Sequence, residues 1–273
     1  MRINTKQAVK IFFNTSSLEQ VFKEAVANSL DAKATEIRIN IFIDSFEKQE
    51  TLRLEIIDNG EGFTDERYDK FCELLKVEED THKGVGRLVY LSYFDKIEIS
   101  SFYNGVHRQF TFDDNFDKEK SNMTLSDCDS NVQLTKLTFK DCSLQRLSSY
   151  NVITPNYLKR QILQEFFPRL YLLKKEGIDI KILFKLDVPH KSIKHVVGNY
   201  ETTITISDIP SMKTLPIDLR SIDLFVDSSL DYVIEETDKV QPTFLMTALC
   251  VDNRTQNIDD IISIENLPSC GYQ

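Results

Sequence analysis

Residues 24–32 read EAVANSLDA, and this stretch is the most informative part of the chain. In a helix, positions i, i+4 and i+7 lie on one face, so Glu24, Asn28 and Asp31 would share one face of an otherwise apolar helix. Burying two carboxylates and an amide together is costly without partners, and a metal ion with a polyanion would supply them. For the helix taken alone, a solvated polar face is an equal alternative.

Two glycine-containing turns follow this helix along the chain. The first reads DNGEG at 58–62 and comes directly after a predicted strand. A carboxylate at Asp58 can accept a hydrogen bond from an exocyclic amine such as that of adenine, while Gly60 and Gly62 allow the backbone to approach a ring closely. An ordinary turn is the alternative interpretation of this motif.

The second turn reads KGVGR at 83–87 and precedes a predicted helix. Backbone N–H groups at the start of a helix bind phosphate, and two cations flank the glycines here. A loop with a basic flank is the alternative for this motif. A polar helical face followed by two glycine turns, in this order, is typical of a nucleotide site.

Hydrophobic periodicity predicts a mixed α+β fold with a largely antiparallel sheet. A capping box at 16–19 predicts the start of the first helix. Further helices are predicted at 65–77, 87–94 and 155–175, and strands at 36–43, 51–57, 96–103, 107–112, 133–140 and 178–186. The polar segment 113–129 is expected to be a surface excursion, and the acidic loop 78–83 is a candidate lid.

Composition and charge narrow the classes of function. Of the 273 residues, 41% are hydrophobic and 28% are charged, as in ordinary globular proteins. The net charge of −10 argues against a broad basic surface that would bind nucleic acid. The sequence contains neither an apolar run of membrane-spanning length nor a signal-peptide pattern, so we expect a cytoplasmic protein. From about residue 188 short strand candidates alternate with polar turns, which predicts two domains, 1–187 and 188–273. We expect further sequence beyond Gln273.

The ordered set of motifs EAVANSLDAKAT, DNGEG and KGVGR resembles the GHKL ATPase superfamily of gyrase B subunits, heat-shock chaperones, histidine kinases and MutL. The form NSLDAKAT is most similar to MutL and the MORC proteins. This resemblance implies a Bergerat-type two-layer α/β sandwich that holds ATP and Mg²⁺ under a flexible lid. It also implies ATP-dependent dimerisation and a smaller, transducer-like α/β domain, to which the segment ALCVDNR at 248–254 is similar.

Carried over residue by residue, the resemblance implies Glu24 as the general base and Asn28 as the magnesium ligand. Asp58 would bind the adenine amine, with Asp31 supporting the site. The remaining cofactor-binding positions that it implies are Gly60, Gly62, Lys83, Gly84, Val85, Gly86, Arg87 and Thr135. Two positions depart from the family pattern, because Leu134 and Lys33 stand where the family or MutL has glycine.

Three functions remain open on the sequence. The first is an ATPase whose nucleotide state drives lid closure and dimerisation, in DNA transactions or defence against phage, with DNA or protein partners bound through other regions. The second is a histidine-kinase-type phosphotransfer domain, although no helical segment with a phosphoacceptor histidine precedes the ATP motifs. The third is a nucleotide-sensing interaction module with negligible turnover.

Overall fold

The computed structural model describes residues 16–73, 86–116, 123–128, 132–143, 149–190 and 197–217, together with the backbone of three short strands further along. Two compact units make up the chain. The first extends to Leu163 and resumes over Ile178–Thr205, and the second comprises Gln164–Gly177 and the chain from Ile206 onward. The predicted division into domains 1–187 and 188–273 stays a prediction.

The first described helix, α1, spans Leu18–Asp31. Its N-cap residue is Ser17, one position after the Ser16 that the capping box at 16–19 predicts, and the Ser17 side chain makes no capping hydrogen bond. Its stability comes from burial instead, since fully burying one large apolar side chain contributes about 1.5–3 kcal/mol. The buried positions are Leu18, Val21, Phe22, Ala25, Val26, Ala27, Ser29 and Leu30.

The helix ends in a left-handed turn at Lys33, whose φ is 58°. The Ala34 N–H donates to the Ser29 carbonyl at 3.0 Å, and the Lys33 N–H donates to the Leu30 carbonyl at 2.9 Å. These two bonds form the Schellman arrangement, in which glycine usually occupies the left-handed position. Lysine therefore adopts the backbone conformation that glycine would adopt at this helix exit.

An eight-stranded sheet forms the body of the first unit, in the spatial order β5-β4-β3-β6-β2-β1-β7-β8. Only the β1–β7 pair is parallel among these neighbours, and the other pairs are antiparallel. The strands are β1 (Glu36–Phe42), β2 (Arg53–Asp58), β3 (Phe94–Tyr103), β4 (Val106–Asp113), β5 (Thr124–Asp127), β6 (Leu134–Cys142), β7 (Lys181–Asp187) and β8 (Glu201–Ile204).

Alternation along the strands gives the sheet one apolar and one polar face. In β1, Ile37, Ile39 and Ile41 are fully buried. On the other face of the sheet Lys136 pairs with Glu55 at 2.6 Å, as charged side chains do on a solvated surface. The α+β fold with a mixed, mostly antiparallel sheet is therefore confirmed.

Two further helices complete the described α structure, α2 (Asp65–Cys72) and α3 (Pro155–Lys175). The bounds of α3 agree with the prediction, while the predicted continuation of α2 to residue 77 and the candidate lid at 78–83 lie outside the described residues. The segment Gly86–Ser92 forms a 3₁₀-helix rather than the predicted longer helix. Strand β5 lies within the predicted surface excursion and was not expected from the sequence.

The second unit contains two described strand pairs. β9 (Lys213–Ile217) pairs with β10 (Ser228–Tyr232), and β11 (Ala248–Val251) pairs with β12 (Arg254–Asn257), both antiparallel. The second pair coincides with the segment similar to a transducer strand and turn. Of the helices described, none is both long and apolar enough to cross a membrane.

Candidate nucleotide site

Asp58 lies at the end of β2, where it is 5% exposed. Its two carboxylate oxygens accept hydrogen bonds from Ser29 Oγ of α1 at 3.2 Å and from the Gly60 N–H at 2.9 Å. Burial raises the pKa of the Asp58 carboxyl, and the hydrogen bonds from Gly60 and Ser29 oppose this effect, as does the charge of Arg67. Asp58 is thus a buried carboxylate held by donors on both oxygens.

The hydroxyls of Thr135 and Ser101 lie next to Asp58 on the neighbouring strands of the sheet, and together the three side chains form the floor of the site. Strand register pairs Asp58 with Thr135 of β6, and Thr135 with Ser101 of β3. The two hydroxyl oxygens are 3.0 Å apart, and Ser101 Oγ also accepts the Phe63 N–H at 2.9 Å. The structure therefore brings the predicted residue Thr135 beside Asp58. Sequence reasoning missed Ser101, because alternation places it on the same face as Ile97 and Ile99 but does not show that it meets Thr135 and the Phe63 N–H.

The glycines of the DNGEG turn are required by close packing. A Cβ on Gly60 would lie 2.6 Å from the Ala32 carbonyl oxygen, at the exit of α1. Gly62 has a φ of +76°, and a Cβ there would lie 2.8 Å from Ser101 Oγ. Since side chains do not tolerate such distances, both glycines let the turn rest directly on α1 and on the sheet.

Arg108 of β4 anchors the segment that follows this turn. Its guanidinium donates to the carbonyls of Phe63 and Thr64 at 2.8 and 2.9 Å and pairs with the Asp65 carboxylate. The group lies 4.8 Å from the centroid of the Tyr68 ring, and the whole side chain is 2% exposed. A buried arginine with three such acceptors is a rigid structural anchor, and no sequence motif predicts it.

Asp31 lies on the side of the site near the turn. Its backbone carbonyl accepts a hydrogen bond from Arg67 Nη2 at 2.9 Å. The same guanidinium donates to Glu61 Oε2 at 2.7 Å. Arg67 therefore joins the end of α1 to the DNGEG turn, which places Asp31 beside the predicted base-binding region.

Glu24 and Gly86 meet at the other end of the site. A Cβ on Gly86 would clash with Oε1, Cδ and Oε2 of Glu24. The carboxylate thus lies directly against the α-carbon of Gly86, at the start of the 3₁₀-helix. The structure brings the predicted base into contact with the second glycine of the KGVGR motif, although the two are far apart in sequence.

Asn28 is exposed, and Glu24 and Asp31 are half-buried. The polar face of α1 is thus partly buried, between the two alternatives that the sequence left open, because periodicity shows which residues share a face and not what covers it. Asn28 Nδ2 donates to the hydroxyl of Tyr90 at 3.0 Å, and Tyr90 is buried. Burial, the negative charge of Glu24 and, more weakly, that of Asp58 raise the pKa of Tyr90, so its hydroxyl stays protonated.

Arg87 is engaged with α2. Its guanidinium lies 4.8 Å from the centroid of the Phe71 ring and donates to the Glu73 carbonyl at 3.0 Å. Burial lowers the pKa of Arg87 to about 10, and the charges of Cys72 and Glu24 oppose that shift. The side chain therefore stays cationic at neutral pH. Its neighbours Lys83, Gly84 and Val85 lie outside the described residues, so the predicted phosphate-contacting segment is described only from Gly86 onward.

The described residues include oxygen donors of the kind that magnesium uses. No group of three or more His, Cys, Asp or Glu side chains that could hold an ion occurs among them. Magnesium uses few protein groups and takes its other ligands from waters and nucleotide phosphates. The exposed amide of Asn28, next to the Glu24 carboxylate on the same helical face, offers the hard oxygen donors that this ion prefers.

Comparison with known proteins gives one family match. Residues 15–144 match the family described as "Histidine kinase-, DNA gyrase B-, and HSP90-like ATPase". This segment contains Glu24, Asn28, Asp58, Gly86 and Thr135 and most of the sheet. Residues 15–144 accordingly carry a domain of the GHKL ATPase superfamily, a superfamily whose domains bind ATP, typically with Mg²⁺, and generally hydrolyse it.

The solved structures that match this chain include two bacterial topoisomerase domains. One is the 43K ATPase domain of Thermus thermophilus gyrase B in complex with an aminocoumarin, at 18% identity and a TM-score of 0.43, with 73% of this chain and 50% of that one covered. The other is the ATP-binding domain of Francisella tularensis topoisomerase IV with a small-molecule inhibitor, at 16% identity and a TM-score of 0.43, covering 73% of this chain and 92% of that one. The match thus spans about half the length of the gyrase fragment. No curated protein matches the chain significantly.

Proposed function

We propose that this chain binds ATP with magnesium and hydrolyses it slowly. The observation that carries the proposal is the seating of the Glu24 carboxylate against Gly86, with Asn28 one turn along the same helix. A general base beside a phosphate-binding turn is the arrangement that water activation requires. The membership of residues 15–144 in an ATPase superfamily supports the same conclusion.

In the proposed reaction Glu24 orients a water molecule and accepts its proton. The water oxygen forms a bond to the terminal phosphorus, the bond from that phosphorus to the bridging oxygen breaks, and ADP leaves with the electron pair. Asn28 would hold magnesium, which neutralises charge on the phosphates when it is bound. The segment Lys83 to Arg87 would contact the phosphates from the other side.

At the other end Asp58 would accept a hydrogen bond from the adenine amine. Thr135 and Gly62 would line the same surface, and Gly60 would let the backbone approach the ring. Support comes from the burial of Asp58 and from its position on a floor of hydroxyls that are already hydrogen-bonded. A fixed, desolvated acceptor discriminates among bases more strongly than a solvated one does.

On a larger scale we propose a MutL- or MORC-like cycle in the cytoplasm. ATP would order the lid, dimerise the ATPase units and reposition a transducer-like second domain. DNA or protein partners would bind elsewhere in the assembly, in a DNA transaction or in antiviral defence. The similarity of NSLDAKAT to MutL and MORC sequences supports this part of the proposal.

Substitution of Glu24 tests the central assignment. Because general bases contribute about 10²–10⁴-fold to rate, we expect Glu24→Ala to lower ATP turnover by at least about 100-fold. ATP affinity, measured by calorimetry, should change less than about threefold. Glu50→Ala serves as the control. It removes an exposed glutamate that precedes β2, whereas Asp58 of the candidate site lies at the far end of that strand.

The outcomes separate the three functions considered. Unchanged turnover in Glu24→Ala would disprove the assignment of the base. Wild-type protein that transfers an acid-labile phosphate to a protein histidine would be a kinase instead. Wild-type protein that binds ATP and releases no phosphate, with or without DNA, would be a nucleotide sensor.

A further inference from the structure

Tyr90 lies between the two motifs at the phosphate end of the site and belongs to neither. It occupies the 3₁₀-helix Gly86–Ser92 and is 1% exposed. Its ring packs edge-on against Phe139 of β6, with the centroids 5.1 Å apart and the planes at 89°. Packing therefore fixes the ring and directs its hydroxyl to one place.

The hydroxyl of Tyr90 meets the amide of Asn28. The distance of 3.0 Å from Asn28 Nδ2 makes this a hydrogen bond that links α1 to the segment after the KGVGR motif. An asparagine amide has a donor end and an acceptor end, and only the oxygen can ligate a metal ion. An exposed amide with no fixed partner would present either end.

The direction of this hydrogen bond sets the orientation of the amide. Asn28 Nδ2 is the donor and the Tyr90 hydroxyl oxygen is the acceptor. The NH₂ group is thereby turned toward Tyr90, and the amide oxygen points away from it.

We propose that Tyr90 is a positioning residue that holds the Asn28 amide with its oxygen available to the magnesium ion of the bound nucleotide. This inference rests on the proposed binding of Mg-ATP. Tyr90 acts through Asn28 and touches neither the nucleotide nor the metal.

Tyr90→Phe removes the hydroxyl and keeps the packed ring. The measurement is the affinity for ATP, by calorimetry, in EDTA and in excess Mg²⁺, and the ratio of the two is the metal enhancement. A hydrogen bond that contributes about 1 kcal/mol corresponds to about a fivefold change, so the enhancement should fall about fivefold. The affinity in EDTA should stay at the wild-type value, and the melting temperature without ligand should fall by no more than about 2–4 °C, the shift expected for one lost hydrogen bond. Mn²⁺ bound with ATP, followed by electron paramagnetic resonance, should show the same weakening.

Tyr93→Phe is the matched control, because the hydroxyl of Tyr93 donates to the backbone carbonyl of Ser16 and not to Asn28. It should leave the metal enhancement unchanged. In an Asn28→Ala background the enhancement should be lost, and adding Tyr90→Phe should then have no further effect.

Three outcomes would overturn the inference. An unchanged enhancement in Tyr90→Phe excludes a positioning role, and a loss of affinity that is equal in EDTA and in Mg²⁺ shows a purely structural one. An effect of Tyr90→Phe that persists in the Asn28→Ala background shows that Tyr90 acts through another group. Wild-type protein that binds no ATP under either condition would instead refute the proposed function itself.

Discussion

The two ends of the candidate site are built differently. At the end predicted to bind the base, Asp58, Thr135 and Ser101 are buried and already hydrogen-bonded. At the end predicted to bind the phosphates, Asn28 is exposed and the Glu24 carboxylate rests against a bare glycine α-carbon. The base end is therefore a buried, hydrogen-bonded surface, whereas the polar side chains at the phosphate end are half-buried or exposed.

This difference suggests that nucleotide affinity and hydrolysis depend on different ends of the site. A rigid, satisfied floor can select a ligand without rearranging, because its polar groups lose no partner when the ligand arrives. Groups that act on a reacting phosphate must instead change partners during the cycle. We therefore expect substitutions at the base end to change affinity and substitutions at the phosphate end to change turnover.

The largest effect should come from Gly86→Ala. The new methyl group would displace the Glu24 carboxylate, and a shift of about 1 Å in a reacting group can lower the rate about 100-fold. Steady-state turnover should fall by that order, while Tm changes little. Gly198→Ala is the control, because a Cβ there is in ordinary contact at 3.6 Å from Asn156 Nδ2. Turnover at wild-type level would mean that the position of Glu24 does not govern hydrolysis.

Asp58→Asn should lower the affinity for ATP and change how the stability of the protein depends on pH. A charged acceptor is replaced by a neutral one, so ATP affinity should fall roughly 10- to 100-fold by calorimetry. Because burial raises the pKa of Asp58 in the folded protein, the wild type loses stability as pH rises through the range where this carboxyl titrates. The variant does not titrate, so its stability relative to wild type should increase over the same rise in pH.

The matched control for that series is Asp95→Asn, which replaces an exposed carboxylate on β3. Its stability should follow that of the wild type at each pH. If Asp58→Asn kept wild-type affinity for ATP, the base end would not be where the adenine amine binds.

The smallest effect should come from Lys33→Gly. Glycine adopts the left-handed conformation at this helix exit without strain, so the free energy of unfolding should rise by about 0.5–1 kcal/mol in urea melts. Lys33→Ala separates the two contributions, because it removes the ion pair with Glu61 and keeps the strained φ. That pair is exposed and contributes little, so Lys33→Ala should change stability by a few tenths of a kcal/mol at most. An equal gain in both variants would show that backbone strain is not the cause.

Local patterns predicted the elements of the fold well. Apolar spacing placed α3 at 155–175, and alternation placed Asp58 at a strand end, where the register brings Thr135 beside it. The motifs also contain Asp58, Glu24 and Gly86, which the structure places at the two ends of the candidate site. These features depend on short stretches of sequence, so one sequence suffices to predict them.

Contacts between distant segments could not be predicted in this way. Tyr90, Ser101 and Arg108 occur within ordinary apolar or alternating runs, and only the packed structure shows which partner each one meets. The partial burial of the polar face of α1 is a property of the same kind. It depends on which other elements pack against that face, and no pattern within the helix records this.

Arg108 holds the turn beside the base-binding end in one conformation before any ligand binds. A segment of turn residues such as 61–65 would ordinarily exchange its amide protons rapidly and settle into shape only around a ligand. Here a buried guanidinium in β4 holds the carbonyls of Phe63 and Thr64, and Ser101 holds the Phe63 N–H. The wall beside the base-binding end is therefore already in place when a ligand arrives. The N–H groups of Glu61 and Phe63, which donate to the Ala32 carbonyl and to Ser101 Oγ, should exchange slowly with deuterium in the empty protein.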